Sequence, residues 1–165
     1  MHIRDLAQGD LAAVLALNND NVPAVSPLDA AELARLTDLT TVSLVAEVDD
    51  AFAGFCMVLP PGVDYASLNY GWFGDHAAEL GYATFAYLDR IAVAPAARRH
   101  GVARALYARL AERLRGVAPV LCCEVNVRPR NDASLELHRS IGFREVGQQD
   151  TDGGAKRVSL LALDL

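Results

Sequence analysis

A run of apolar residues from Phe85 to Val93, broken only by Asp89-Arg90, leads through Ala94-Pro95 into a helix with separated faces. Between Gly101 and Arg115, the residues Val102, Ala103, Leu106, Tyr107, Leu110 and Leu114 recur at helical spacing, with Arg104, Glu112 and Arg115 opposite. A buried strand, a proline turn and an amphipathic helix in succession call for a sheet with helices packed on it. The junction between them is chemically distinctive. Arg98, Arg99 and His100 stand just ahead of Gly101, where a helix start leaves backbone N–H groups unpaired and carries partial positive charge. Gly101 lets a ligand come close to the main chain, and a basic helix start of this kind suits a pyrophosphate. Neither a Walker loop nor a three-glycine dinucleotide fingerprint is present.

Around this unit the chain divides into short elements. A strand is predicted at Ile3–Leu6, then a helix with Asp10 as N-cap and Leu11, Val14, Leu15 and Leu17 on its apolar side. Asn18 to Pro27 is a polar, proline-punctuated break, and Asp29–Leu36 a second short helix. Thr41–Val48 and Ala53–Leu59 form a hairpin around Asp49-Asp50. Pro60 to Tyr82 is the least regular stretch and holds the only tryptophan, Trp72, with Tyr65, Tyr70, Phe73 and Tyr82. A connection of this length is usually functional or mobile; the alternative is an aromatic-rich loop that packs over a sheet edge. Val120–Val127 is apolar apart from Glu124 and Asn126, as in a strand covered on both faces. Asn131 caps a helix over Asp132–Ile141 that Gly142 stops, and Phe143–Gln148 with Arg157–Leu163 close the chain as a strand pair.

Length and composition set the outer bounds. The 165 residues, 52% hydrophobic and 22% charged, read as one domain, 1–165, with a core that requires neither disulfide nor metal. The net charge of −6 argues against a general nucleic-acid binder. No apolar run approaches the roughly 20 residues of a membrane span, and Met1-His2-Ile3-Arg4-Asp5 does not start like an export signal, so a cytoplasmic location is expected. Cys56, Cys122 and Cys123 lack metal-site spacing and read as packing residues, with a reactive thiol as the alternative.

The spacing Arg-x-x-Gly-x-Ala at Arg98, Gly101 and Ala103 resembles the coenzyme A pyrophosphate loop of the GNAT superfamily of N-acetyltransferases. Leu88–Pro95 looks like that superfamily's fourth strand and Leu121–Val127 like its fifth. Asn131, Ala133, His138 and Ile141-Gly142-Phe143 resemble its closing helix. These blocks stand in family order over roughly residues 84–148. The resemblance implies an α/β (α+β) fold with a mixed, mostly antiparallel central sheet splayed between strands 4 and 5 and flanked by helices.

It also implies a function: an N-acetyltransferase that moves an acetyl group from acetyl-CoA to a primary amine by direct attack in a ternary complex. The acceptor would be a small-molecule amine or a peptide amino terminus, with no metal, nucleic acid or membrane involved. The exposed edge of the closing hairpin is compatible with a homodimer. By the same resemblance, Ile91, Ala92 and Val93 would line the pantetheine arm, and Arg98, Arg99, His100, Gly101, Val102 and Ala103 would hold the pyrophosphate. Asn131 would orient the arm, and the acceptor would enter near the break after the first helix and the Pro60–Tyr82 insertion. Asp89 stands where a carboxylate often serves as base, with Glu124 as the competing carboxylate and an ion pair as the alternative role for Asp89. His138 occupies the place of the family's usual tyrosine acid; Tyr87 and Tyr107 are other hydroxyl donors. The rival reading is a catalytically weak acyl-CoA sensor.

Overall fold

The computed structural model describes residues 1–165 in the order β1 (His2–Asp5), α1 (Leu11–Asp20), α2 (Ala30–Leu39), β2 (Val42–Val48), β3 (Ala51–Leu59), α3 (Leu68–His76), β4 (Ala86–Val93), α4 (Val102–Leu114), β5 (Val120–Arg128), α5 (Asp132–Ile141), β6 (Arg144–Thr151) and β7 (Lys156–Asp164). The seven strands lie in the order β1-β2-β3-β4-β5-β7-β6, mostly antiparallel, with β4 and β5 the one parallel pair. Contacts group residues 1–60 with 88–113 in one unit, and 61–87 with 114–165 in another. No helix is long and apolar enough to cross a membrane.

In the first unit, the β2–β3 hairpin turns on Asp49 and Asp50, whose φ values of 51° and 60° give the double left-handed geometry of a tight hairpin. Leu44, Val45, Phe55 and Met57 from its two strands are fully buried. Val102, Leu106, Leu110 and Leu114 supply the buried stripe of α4 as the periodicity requires. Asp10 departs from the capping role predicted for it. Its carboxylate accepts from Ala7 N at 2.8 Å and from Arg4 at 2.6 and 2.8 Å, so it makes no side-chain cap bond to α1. The Arg4 guanidinium holds the Asp10 carboxyl below the usual carboxylate range. Helix α1 also runs on to Asp20, into the segment read as a break.

In the second unit, β4 and β5 share only two ladder pairs, Ala86↔Leu121 and Tyr87↔Cys122. β5 takes its long antiparallel ladder from β7, which lies between β5 and β6, so β6 is the edge. Asn131 caps α5 by accepting from Ser134 N, and Gly142 ends it at φ 113°. The irregular 60–82 stretch contains α3, which the sequence pattern did not reveal. Ser67 caps it by accepting from Tyr70 N. Trp72 packs against Gly147 of β6, and Gln149 of β6 donates to Asn69 at 2.9 Å. The insertion is thus seated on the edge strand.

Gly54 marks the tightest approach in the first unit: a Cβ there would stand 2.7 Å from the Ala92 carbonyl oxygen and 3.3 Å from Val93 Cα. Both obstacles are main chain, so β3 and β4 would have to move apart. Gly54→Ala is expected to cost about 1–3 kcal/mol of stability, while Gly9→Ala, where nothing lies within 4 Å, stays within about 0.5 kcal/mol. Urea midpoints of the two variants test this.

Candidate active site

Beyond Val93 the chain makes a single 3₁₀ turn, Pro95–Ala97, with proline at its first position where no N–H is needed. Arg99 and Gly101 then adopt left-handed φ values of 64° and 82°. Gly101 is exposed, and nothing lies within 4 Å of where its Cβ would be. The first ladder bond of α4 runs from Ala105 N to Gly101 O at 3.0 Å. The N–H groups of Gly101, Val102 and Ala103 therefore come before the helical ladder begins. Arg99 and His100 are exposed beside them. Arg98 is committed within the protein: Nε donates to Val93 O at 3.2 Å and Nη2 to Asn21 Oδ1 at 3.0 Å. Ile91, Ala92 and Val93 lie beyond Tyr87 and Cys122, where the β4–β5 ladder stops.

Asp89 and Arg90 form an ion pair, Nε to Oδ2 at 2.6 Å, with side chains only 5% and 2% exposed. The guanidinium reaches further, from Nη1 to Asn18 Oδ1 at 2.8 Å and from Nη2 to Ser26 Oγ at 3.4 Å. The ion pair weighed as an alternative for Asp89 is thus present in the fold.

Glu124 has a different setting. Tyr87 is fully buried, and its hydroxyl donates to Glu124 Oε2 at 2.6 Å. Tyr87 pairs in register with Cys122, and Glu124 lies two residues further on, hence on the same face of β5. Tyr70 and Phe73 of α3 stand 5.3 and 6.0 Å from the Tyr87 ring. The sequence named both Tyr87 and Glu124 but not their coupling, because the parallel register that joins them leaves no local signal.

His138 is 3% exposed and lies edge-on to Phe143 at 5.0 Å. Its Nδ1 is 2.7 Å from the Ser134 carbonyl oxygen. A carbonyl only accepts, so in the neutral ring this contact places the proton on Nδ1 and the lone pair on Nε2. Burial pushes His138 below the ordinary histidine range, partly opposed by the Ser134 carbonyl. Tyr107, the other hydroxyl considered, is buried on α4. Asn131, at the head of α5, accepts from Ser134 N with its side-chain oxygen at 3.1 Å. The three cysteines are buried, and burial pushes Cys56 and Cys122 up to about 12 and raises Cys123 as well. None is a thiolate at neutral pH.

The sequence model of the acetyltransferase (GNAT) family matches residues 11–143. Among curated protein sequences, none matches the chain. Among solved structures, a ribosomal-protein-alanine N-acetyltransferase from Brucella melitensis is 26% identical, with 100% of each chain covered and a TM-score of 0.72. NAA60 of Arabidopsis thaliana, solved with a bisubstrate analogue, is 17% identical over 99% of this chain and 97% of that one, at a TM-score of 0.75. A Salmonella typhimurium protein solved with its cofactor acetyl-CoA is 21% identical over 100% of this chain and 94% of that one, at a TM-score of 0.71.

The setting of His138 has a measurable consequence. Because its folded pKa lies below the unfolded value of about 6.5, the unfolded chain binds the extra proton first, and stability falls as pH drops below ~6.5. His138→Phe is expected to flatten that part of the profile, read from unfolding free energies between pH 5 and 8. Nitrogen NMR at neutral pH is expected to find the proton on Nδ1; a proton on Nε2 would contradict the Ser134 bond.

Proposed function

Because the chain belongs to the acetyltransferase (GNAT) family, we propose that it transfers an acetyl group from acetyl-CoA to a primary amine by direct attack in a ternary complex. The acceptor is a small-molecule amine or a peptide amino terminus. The observation that carries this reading is the Arg98–Ala103 loop: a left-handed Gly101 with open space beside it, at the head of α4. Diphosphate oxygens fit there, because main-chain N–H groups and the helix dipole both favour negative charge, and Arg99 and His100 add to it. Arg98 serves by holding the loop to Val93 and Asn21. Along Ile91, Ala92 and Val93 the β5-side edge of β4 carries no ladder bond, which supports pairing with the amides of the pantetheine arm. Asn131, its oxygen engaged by Ser134, would offer the arm its amide N–H group.

The amine must lose a proton before it can attack the thioester. Of the two carboxylates, Glu124 supports the base role better. It is partly exposed on β5 and oriented by the Tyr87 hydroxyl, whereas Asp89 faces a buried guanidinium. The departing sulfur takes its proton from water. The Nδ1 bond to Ser134, and burial that opposes the imidazolium, speak against His138 as that donor. Buried, protonated cysteines favour direct attack over an acyl-cysteine. The alanine N-acetyltransferase and the bisubstrate-analogue complex among similar structures favour an amino-terminal acceptor held together with the donor.

Thiol release from acetyl-CoA, measured over amino acids, polyamines and peptide amino termini, tests the activity. Tight acetyl-CoA binding without release for any amine would instead support a sensor. Gly101→Glu is expected to abolish acetyl-CoA binding in calorimetry, because it places bulk and negative charge on the pyrophosphate position. Glu124→Gln should retain acetyl-CoA affinity and lose about 10²–10⁴-fold in kcat.

A further inference from the structure

We propose that Arg90, with Asp89 as its counter-ion, is a positioning residue for the acceptor: its buried guanidinium fixes the segment from Asn18 to Pro27, which ends α1 and begins the connection to α2. The part concerning the acceptor rests on the acetyl-transfer reading above. A buried charge is tolerated only when paired and hydrogen-bonded, and the way Arg90 meets that demand is specific. Nε donates to Asp89; Nη1 to Asn18 Oδ1 at 2.8 Å and Ser26 O at 3.4 Å; Nη2 to Ser26 Oγ at 3.4 Å. Asn18 is itself fully buried and donates to Ser26 O and to Asn19 Oδ1, each at 3.0 Å. Asn19 then clasps Leu28, donating to its carbonyl at 2.9 Å and accepting from its N–H at 3.0 Å.

The connection has little else to hold it. Val22, Pro23, Ala24, Ser26 and Pro27 are exposed, so apolar burial contributes little to its shape. Besides its own backbone turn and the bond from Asn21 Nδ2 to Leu17 O at 2.7 Å, a further tie comes from the donor loop, through Arg98 to Asn21. One strand and the loop that follows it therefore send two arginines into this connection, and the same strand and loop carry the proposed donor site. Packing alone would accept methionine at position 90. Serving Asp89, Asn18 and Ser26 at once requires a planar fork of donors, which lysine does not have.

Arg90→Lys keeps the charge and loses the fork. In the full chain, hydrogen exchange is expected to quicken at Val22, Ala24 and Val25, whose N–H groups bond within the connection, with β2 and β3 unaffected. The acceptor KM should rise on the order of tenfold, with kcat and the acetyl-CoA Kd changing by less than about threefold. Asp89→Asn should likewise place its main loss on acceptor KM. Ser26→Ala, which removes one hydroxyl, gives a smaller effect in the same direction and covers the case in which Arg90→Lys does not fold. Unchanged exchange in both Arg90→Lys and Ser26→Ala overturns the proposal. So does a loss shared equally by donor and acceptor. A loss of about 10²–10⁴-fold in kcat for Asp89→Asn at saturating acceptor also overturns it, since Asp89 would then be the base. Wild-type protein that binds acetyl-CoA yet acetylates no amine sinks the transfer reading itself, while the exchange comparison still decides whether Arg90 orders the connection.

Discussion

Arg90 brings a full positive charge into the middle of an apolar strand, where an ion without partners would cost several kcal/mol even after relaxation. The chain answers with Asp89 at 2.6 Å and with oxygens drawn from Asn18 and Ser26. Charge-assisted bonds of this kind are the stronger class of hydrogen bond and are directional. Because Asn18 and Ser26 lie more than sixty residues away in sequence, satisfying the charge also decides where their segment lies. The strand that ends at the proposed donor loop and the connection after α1 are consequently held together.

The shape of the proposed donor loop follows from the way β4 ends. Ala94 N donates to Ala53 O at 2.9 Å, Pro95 turns the chain, and left-handed residues at Arg99 and Gly101 bring it to the start of α4. Arg98, Arg99, His100 and Arg104 gather cationic character there in a chain whose net charge is −6. A chain that is acidic overall can therefore present a local anion site, since the field near the loop depends on those residues and the unpaired N–H groups rather than on the total.

What was legible in the sequence was written in local signals. The stripe of α4, the Asp49-Asp50 turn and the Asn131 and Gly142 caps all depend on residues a few positions apart, and each element stands where it was expected. Helix α3 was hidden because Gly71 and Gly74 interrupt it and its aromatics obscure a helical period. Its support comes from Gly147 and Gln149 on a distant strand. Asp10 looked like a helix cap because its competing partner, Arg4, also serves Glu47 of β2, a pairing that only the fold brings about. The site divides in the same way. The proposed donor loop was suggested by a six-residue spacing, whereas the Tyr87–Glu124 bond depends on parallel register and the tautomer of His138 on the carbonyl of Ser134.

An amide-resolved NMR titration of the wild-type chain with acetyl-CoA tests the donor site most directly. The largest shifts are expected at Ile91–Val93 and at Arg98–Ala103, with Gly101, Val102 and Ala103 moving downfield as their N–H groups take up phosphate oxygens. Saturable binding that leaves Gly101–Ala103 unmoved, or no binding at all, would contradict the assignment of this loop to the donor and with it the proposed reaction.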